Sequence, residues 1–577
     1  MKKLLFGNEA VARGLWEAGC QVVSSYPGTP STEITEYFSK YEDVYSEWAP
    51  NEKVALEVAF GASLRGARSA CAMKHVGLNV AADPLFTLSY TGVGGGLVIC
   101  VADDPAMHSS QNEQDSRHYA IGAKIPMLEP ADSAEALEYS RIAFDLSEKF
   151  DTPVILRMCT RIAHSRSLAE TGEKAERKIG EYVRDPQKYI MIPANAKRRH
   201  PFVEERSRRL AEYAENCPQN KIFSGSRNDL GIITSGTAYQ YVCEVFGSSV
   251  PVLKLGMVNP LPEKLIRNFA LGVRRLVIVE ELDGIIEAHV KGLGIPCEGK
   301  SLFSPVGELS QRIVAEALGA PLPEAASVPG ENVPARPPQM CAGCPHRGLF
   351  FAISKLKLKC LGDIGCYTLG AQPPLSALDS TLCMGASVSG LHGFIKADPE
   401  RAGDTVCVIG DSTFMHSGIT GLADIVYNDS RATVIILDNS ITGMTGHQQN
   451  PTTGYNIKGD PAAKIDLEAL CRSLGVNRVR VVDPYDIDAC KTALKEELAA
   501  NETSVIISRR PCILLKNVKK EPPLAVDTDK CRSCKACMKL GCPAVSMKGG
   551  KAKIDVTLCT GCRICMTQCP FGAIGNL

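Results

Sequence analysis

Eight of the chain's 24 cysteines are crowded between Cys531 and Cys569, in two runs: Cys531-x-x-Cys534-x-x-Cys537-x4-Cys542-Pro543 and Cys559-x-x-Cys562-x-x-Cys565-x3-Cys569-Pro570. The crowding marks a small separate module at the end of the chain. Two intervening residues let successive sulfurs converge on different atoms of one metal centre, and the proline after the last cysteine turns the chain away. Cysteines in this number point to metal or redox chemistry where thiols are kept reduced. The start of the chain has too few apolar residues before Asn8 and Glu9 for a secretory segment, and no apolar run is long enough to span a bilayer, so a cytoplasmic protein is expected. Lysine plus arginine and aspartate plus glutamate both number 64, so no net field recruits nucleic acid or an anionic membrane.

The double run resembles a bacterial two-cluster ferredoxin, in which three close thiolates hold one cluster and the fourth comes from the other half. The resemblance implies one [4Fe-4S] cluster on Cys531, Cys534, Cys537 and Cys569, and a second on Cys559, Cys562, Cys565 and Cys542. The first run departs from the usual pattern with four residues before Cys542, which widens a loop. A zinc ribbon also uses paired Cys-x-x-Cys motifs, but two triplets with trailing Cys-Pro argue against it. From Lys516 onward, eleven lysines and arginines face four acids. Part of that excess offsets cluster charge; the rest could steer an acidic ferredoxin or simply form a solvated face.

Elsewhere, short apolar runs such as 96–101, 276–279 and 433–437 alternate with helix-length amphipathic segments, the signature of buried parallel strands. The fold class expected is α/β: several doubly wound domains plus a small α+β ferredoxin-like tail. Residues 1–165 and 225–320 read as two such domains, joined over 166–224 by a charged helical connection that runs over the surface without β signature. A proline-rich linker at 321–338 leads to a third domain, 339–515. A charged tether at 516–525 precedes the tail, 526–577.

Within the third domain, Gly410-Asp411-Ser412 is followed by Asn428 and by Asp438-Asn439. The expected context is a strand, a Gly-Asp turn, a helix of about fifteen residues, a second strand and a glycine-rich loop. By itself this fits an ordinary turn with a capping aspartate. The arrangement resembles the cofactor-binding signature of thiamine diphosphate enzymes. That resemblance implies a Mg²⁺ site made by Asp411, Asn439 and the Ile441 carbonyl, with Gly410 and Ser412 at the diphosphate. Met384, before Gly385, stands where such enzymes place a hydrophobe against the cofactor; a core methionine is the plain alternative.

The first 165 residues carry Tyr26-Pro27-Gly28-Thr29-Pro30-Ser31-Thr32 and Asn51-Glu52-Lys53-Val54-Ala55. These, with Cys341-Ala342-Gly343-Cys344, Gly365-Cys366 and Arg510-Pro511-Cys512, resemble the 2-oxoacid:ferredoxin oxidoreductase family, in domain order as well as motif. The resemblance covers nearly the whole chain, and the phrase from Asp438 to Gln448 is closest to its arylpyruvate branch, which takes indolepyruvate and similar acids. It implies that Glu52 is the carboxylate that activates the cofactor, with Glu57 as its rival. It implies further that Thr29 and His75 serve the substrate, with Lys74 beside them, and that Cys341, Cys344, Cys366 and Cys512 hold a third cluster near the thiamine; His346 reads as structural. The implied reaction is oxidative decarboxylation to an acyl-coenzyme A with reduction of ferredoxin. A smaller β subunit in an α2β2 heterotetramer is implied as well. An oxidoreductase for another 2-oxoacid, a non-oxidative thiamine decarboxylase and an electron-transfer adaptor with a degenerate thiamine fold remain the alternatives.

Overall fold

The computed structural model describes residues 1–322, 334 and 336–576. Two compact units divide the chain, Met1–Val328 and Pro329–Leu577. Most of the proline-rich stretch 321–338 lies outside the described residues.

The first unit holds two larger sheets and one two-stranded pair. One has the spatial order Met257–Asn259, Met127–Leu128, Val154–Cys159, Leu97–Asp103, Ser69–Lys74, Val22–Ser25, Tyr45–Trp48. All its strands are parallel except Met257–Asn259. Every residue of Leu97–Asp103 is buried, which is why that strand reads as an unbroken apolar run. The other sheet sets Leu276–Val279, Gly231–Ser235 and Val252–Leu255 parallel, with Lys221–Phe223 antiparallel at the edge.

Two expectations about the first unit are corrected. The connection 166–224 does contain strands: Arg166–Glu170 pairs antiparallel with Lys2–Phe6, and Lys221–Phe223 closes the second sheet. Nor is it merely a surface connection. In its helix Pro193–Glu215, one face of Val203, Arg206, Leu210 and Ala214 is buried, the i, i+3, i+7, i+11 spacing of a packed stripe. Buried Arg206 donates from Nη1 to the Ser89 carbonyl at 2.8 Å and the Asp151 carbonyl at 3.1 Å, while its Nε has no partner. The segments 1–165 and 225–320 are also not separate, because Met257–Asn259 joins the first sheet.

A buried ionic network fastens the two sheets. Arg157 bonds Asp103 at 2.7 Å and Glu129 at 2.6 Å, while Arg117 bonds Asp115 and Glu280, each at 2.6 Å. The carboxylate of the neighbouring Glu281 accepts from the Leu309 N–H at 3.2 Å, and burial pushes it up to about 7. A carboxylate whose folded pKa exceeds its unfolded value destabilises the fold once ionised. The penalty is absent below about pH 4, grows until about pH 7 and is flat above. Glu281→Gln keeps the acceptor and is expected to raise stability by about 2–4 kcal/mol at about pH 8, and negligibly at about pH 4, in denaturant titrations.

The second unit is built on a five-stranded parallel sheet ordered Lys359–Leu361, Thr405–Gly410, Thr433–Asp438, Ser504–Arg509, Arg478–Val482. The tail packs on it as two short antiparallel pairs, Leu524–Val526 with Ile574–Asn576 and Val545–Lys548 with Lys551–Ile554. The tail module thus begins at Leu524, inside the stretch 516–525 read as tether. Among the described residues no helix is long and apolar enough to cross a membrane.

Candidate active site

In the second unit, Gly410 pairs in register with Leu437, so the residues that follow these two strands emerge side by side at the carboxyl edge of the sheet. Asp411 opens a helical stretch that runs to Tyr427 and includes a π turn over Phe414–Gly418. Its carboxylate is 2% exposed and accepts from Ser412 N–H at 2.9 Å and Thr452 Oγ1 at 3.2 Å. Burial, and then the charge of Asp438, push it up to about 7. The Asn439 amide faces the Ile441 carbonyl oxygen at 2.7 Å and Asp411 Oδ1 at 3.2 Å. With its nitrogen turned inward it donates to both; with its oxygen inward, three oxygens converge. The edge of an octahedral Mg²⁺ shell is about 2.9 Å, from metal–oxygen distances of about 2.0–2.1 Å, so these spacings fit such an ion.

A loop over Ser440–Thr453 covers this end. Thr442 Oγ1 donates to Ser412 Oγ at 2.9 Å, and Asn450 Oδ1 accepts from Thr452 N–H at 2.9 Å and from its hydroxyl at 2.7 Å. Asn450 and Thr452 were missed from sequence; the only signal is a short polar Asn-Pro-Thr-Thr turn. Asn428, by contrast, is exposed at the helix end and bonds Asp424, away from the site. Met384 is half-buried. The turn after it is fixed by buried Asp363, which accepts from Gly385 and Ser387 N–H, both at 2.9 Å; Gly385 is left-handed, with φ 88°.

Cys341, Cys344, Cys366 and Cys512, far apart in sequence, come together beside this site. Burial pushes the Cys366 thiol up to about 11, and the neighbouring Cys512 and Cys341 add to the rise. Cys344 is pushed up to about 12 by burial, with Cys341 and Cys366 contributing. Burial also raises Cys512, which feels both Cys341 and Asp411. A Cβ on Gly443 would stand 3.4 Å from Cys366 Sγ and 3.6 Å from Asn439 Nδ2, so one glycine separates the Cys366 thiol from the Asn439 amide. His346 is buried and pulled down to about 4 by burial, edge-on to Tyr367 at 5.9 Å between ring centroids.

The tail thiols sort into two groups. Cys537, raised by burial, feels Cys534, Cys569 and Cys531, and these four line one cavity. Cys565 is pushed up to about 12 by burial, with Cys562, Cys542 and Cys559 as its nearest charged neighbours. The extra residue before Cys542 is absorbed by Gly541, left-handed at φ 62°. Among the described residues no three His, Cys, Asp or Glu side chains are grouped as ligands of a single metal ion.

The first unit gathers the remaining candidates at the carboxyl edge of adjacent strands. Glu52 is the first residue of the helix Glu52–Leu64, capped by Asn51, and is 4% exposed. A carboxylate there is favoured by the helix dipole. Glu57 is exposed and paired with Lys53, so burial separates the two rivals. Thr29 is half-buried, and its carbonyl accepts from Ser109 Oγ at 3.3 Å. Lys74 ends its strand with Nζ donating to the Ser109 carbonyl at 2.6 Å; burial brings its amine down to about 8, against the charge of Asp104. His75 is 1% exposed, with Nε2 3.1 Å from the Asn112 carbonyl and Nδ1 without a hydrogen-bond partner; burial lowers its pKa. A Cβ on Gly77 would lie 2.6 Å from Glu52 Oε1. Gly77→Ala must therefore displace that carboxylate, and a misplacement near 1 Å costs about 10²-fold in rate. The expected result is a comparable fall in kcat with secondary structure unchanged by circular dichroism.

Comparison with known proteins agrees with this partition. The family of pyruvate flavodoxin/ferredoxin oxidoreductase thiamine diphosphate-binding domains matches residues 13–215. The C-terminal TPP-binding domain of thiamine pyrophosphate enzymes matches 363–508, and the 4Fe-4S binding domain matches 552–575. The chain is 41% identical to the indolepyruvate oxidoreductase subunit IorA of Archaeoglobus fulgidus, over 99% of this chain and 97% of that one. It is 42% identical to the subunit of the same name from Thermococcus kodakarensis, over 99% and 96%. A solved 2-oxoglutarate:ferredoxin oxidoreductase from Magnetococcus marinus is 17% identical, with a TM-score of 0.46 over 55% of this chain and 65% of that one.

Proposed function

We propose a function from one premise: this chain belongs to the family of indolepyruvate oxidoreductase IorA subunits. It is a chain of a 2-oxoacid:ferredoxin oxidoreductase that depends on thiamine diphosphate and iron–sulfur clusters. In our reading its substrates are arylpyruvates, indolepyruvate among them. The C1–C2 bond breaks to release CO2, a thioester forms with coenzyme A, the thiol proton is lost, and two electrons leave one at a time for ferredoxin. A smaller β subunit completes the enzyme as an α2β2 assembly in the cytoplasm. The observation that carries this reading is the contact at Gly443, which sets the Cys366 thiol beside Asn439, the neighbour of Asp411.

Thiamine diphosphate supplies the carbanion and the electron sink for decarboxylation, and iron–sulfur clusters accept single electrons, when these groups are bound. The chain's own residues bind and orient. Asp411, Asn439 and the Ile441 carbonyl would hold Mg²⁺, and the hydroxyls of Ser412 and Thr442 and the Gly410 main chain would meet the diphosphate. Met384 would support the cofactor ring from its pinned turn. Glu52 would hold a proton at the pyrimidine ring nitrogen, with Thr29 and His75 facing the substrate. Cys341, Cys344, Cys366 and Cys512 would hold a cluster beside the thiamine. Cys531, Cys534, Cys537 and Cys569 would hold the outer tail cluster, and Cys559, Cys562, Cys565 and Cys542 the inner one.

The test is anaerobic purification of the two co-expressed subunits, with counts of iron, zinc, magnesium and thiamine diphosphate. Indolepyruvate, phenylpyruvate, pyruvate and 2-oxoglutarate are then compared as reductants of ferredoxin, with and without coenzyme A. Preference for the aryl acids and about twelve irons per large chain are expected, four per cluster. Aldehyde release without ferredoxin reduction, or zinc in place of iron, would overturn the reading.

A further inference from the structure

Arg347 is a buried cation for which the protein supplies no anion. It is 2% exposed and lies in the first turn of the helix His346–Leu356, where the helix dipole disfavours positive charge. Its four hydrogen bonds all go to main-chain carbonyls: Nη1 to Leu540 and Gly541, each at 2.7 Å, and Nη2 to Met340 and Cys341, each at 2.9 Å. Its Nε has no partner, and among the described residues it forms no ion pair with a carboxylate. A buried charge left in this way costs several kcal/mol unless something anionic lies close.

The four carbonyls locate that anion. Met340 and Cys341 belong to the loop carrying the thiamine-side thiols, whereas Leu540 and Gly541 lead into Cys542 of the inner tail set. The guanidinium is felt by one thiol of each group, Cys344 and Cys562. The Cys341–Cys344 loop also lies against the Cys559–Cys562 segment, where a Cβ on Gly343 would clash with Thr560 Oγ1. A four-iron cluster with four thiolates carries about two negative charges when oxidised and one more when reduced. Thiolate-bound clusters on both sides therefore provide the missing counter-charge.

We propose that Arg347 is a bridging cation between the thiamine-side cluster and the inner tail cluster, a positioning residue that fastens the two cluster loops together and raises the reduction potential of both. The proposal rests on the reading of Cys341, Cys344, Cys366 and Cys512 as cluster ligands. It orders the electron path: thiamine-side cluster, then the Cys559, Cys562, Cys565 and Cys542 cluster, then the outer one. Arg510, which also lies close to Cys562, differs in being paired with Asp483 at 2.8 Å, so its charge is already offset.

The experiment is a reductive titration of the assembled enzyme, followed by electron paramagnetic resonance, for wild type, Arg347→Met and Arg347→Lys. In Arg347→Met the two flanking clusters should become harder to reduce, with their reduced-to-oxidised ratio at a fixed poise falling about tenfold, equivalent to about 59 mV for one electron. The outer cluster should move much less, and Arg347→Lys should restore most of the shift. A merely structural residue would not give this pattern. Unmoved potentials, or equal shifts in all three clusters, would overturn the proposal. If Arg347→Met does not assemble, Arg347→Lys alone decides, because potentials far below wild type with the charge retained would exclude an electrostatic role. A wild-type iron count of about eight would sink the thiamine-side cluster and this proposal together. About twelve irons with unmoved potentials would sink the proposal alone.

Discussion

Glu52→Gln is expected to slow 2-oxoacid decarboxylation by about 10²- to 10⁴-fold, the contribution of a positioned acid–base group. Thiamine content and dithionite reduction of the clusters should stay as in wild type. Glutamine keeps the shape of the side chain, so the first turn of the helix Glu52–Leu64 and the packing against Gly77 survive. What is lost is the negative charge that would hold a proton at the pyrimidine nitrogen. The measurement is anaerobic single-turnover reduction of the clusters by the 2-oxoacid, set against reduction by dithionite. A variant within threefold of wild type with the 2-oxoacid would remove Glu52 from the chemistry. It would also revive the adaptor reading, in which the tail carries electrons without decarboxylation in this chain.

The features legible in the sequence are those that local geometry determines. Parallel strands buried on both faces are largely apolar, so the runs within Leu97–Asp103, Leu276–Val279 and Thr433–Asp438 could be read directly. The tail thiols were sorted by their resemblance to a two-cluster ferredoxin, since spacing alone groups only the three close cysteines of each run. Asp411 and Asn439 could be paired because each follows the end of one of two neighbouring strands. The strand Arg166–Glu170 was missed because it lies at an edge, mostly exposed, and carries few apolar residues. Sequence preferred Glu52 with Glu57 as its rival; Glu52 is buried and Glu57 exposed, which favours the same choice. Arg347 and Thr452 were invisible because their partners lie 193 or 194 residues away in one case and 41 in the other. Only tertiary contact gives those residues a role.

Asp411→Ala is expected to weaken Mg²⁺-dependent binding of thiamine diphosphate by more than about 100-fold, beyond the 10- to 100-fold typical of residues that only orient a ligand. Thr452→Val removes one such orienting bond and should fall within that smaller range. The reason lies in the charge balance at the sheet edge. Asp438 is paired with Arg509 at 2.8 Å, whereas Asp411 is buried next to it with only hydroxyl and N–H donors. A buried carboxylate without a cationic partner costs the fold stability once it is ionised, and in the proposed reading Mg²⁺ would offset that cost. Removing Asp411 should therefore separate two quantities that usually fall together. The cofactor-free chain should melt no lower than wild type, while the rise in melting temperature on adding Mg²⁺ and thiamine diphosphate should vanish. The tail clusters, held by other residues, should keep their resonance signals. If the alanine variant still gained the full ligand-dependent shift, the metal site would have to lie elsewhere, and the contact at Gly443 would no longer connect the thiols to the chemistry.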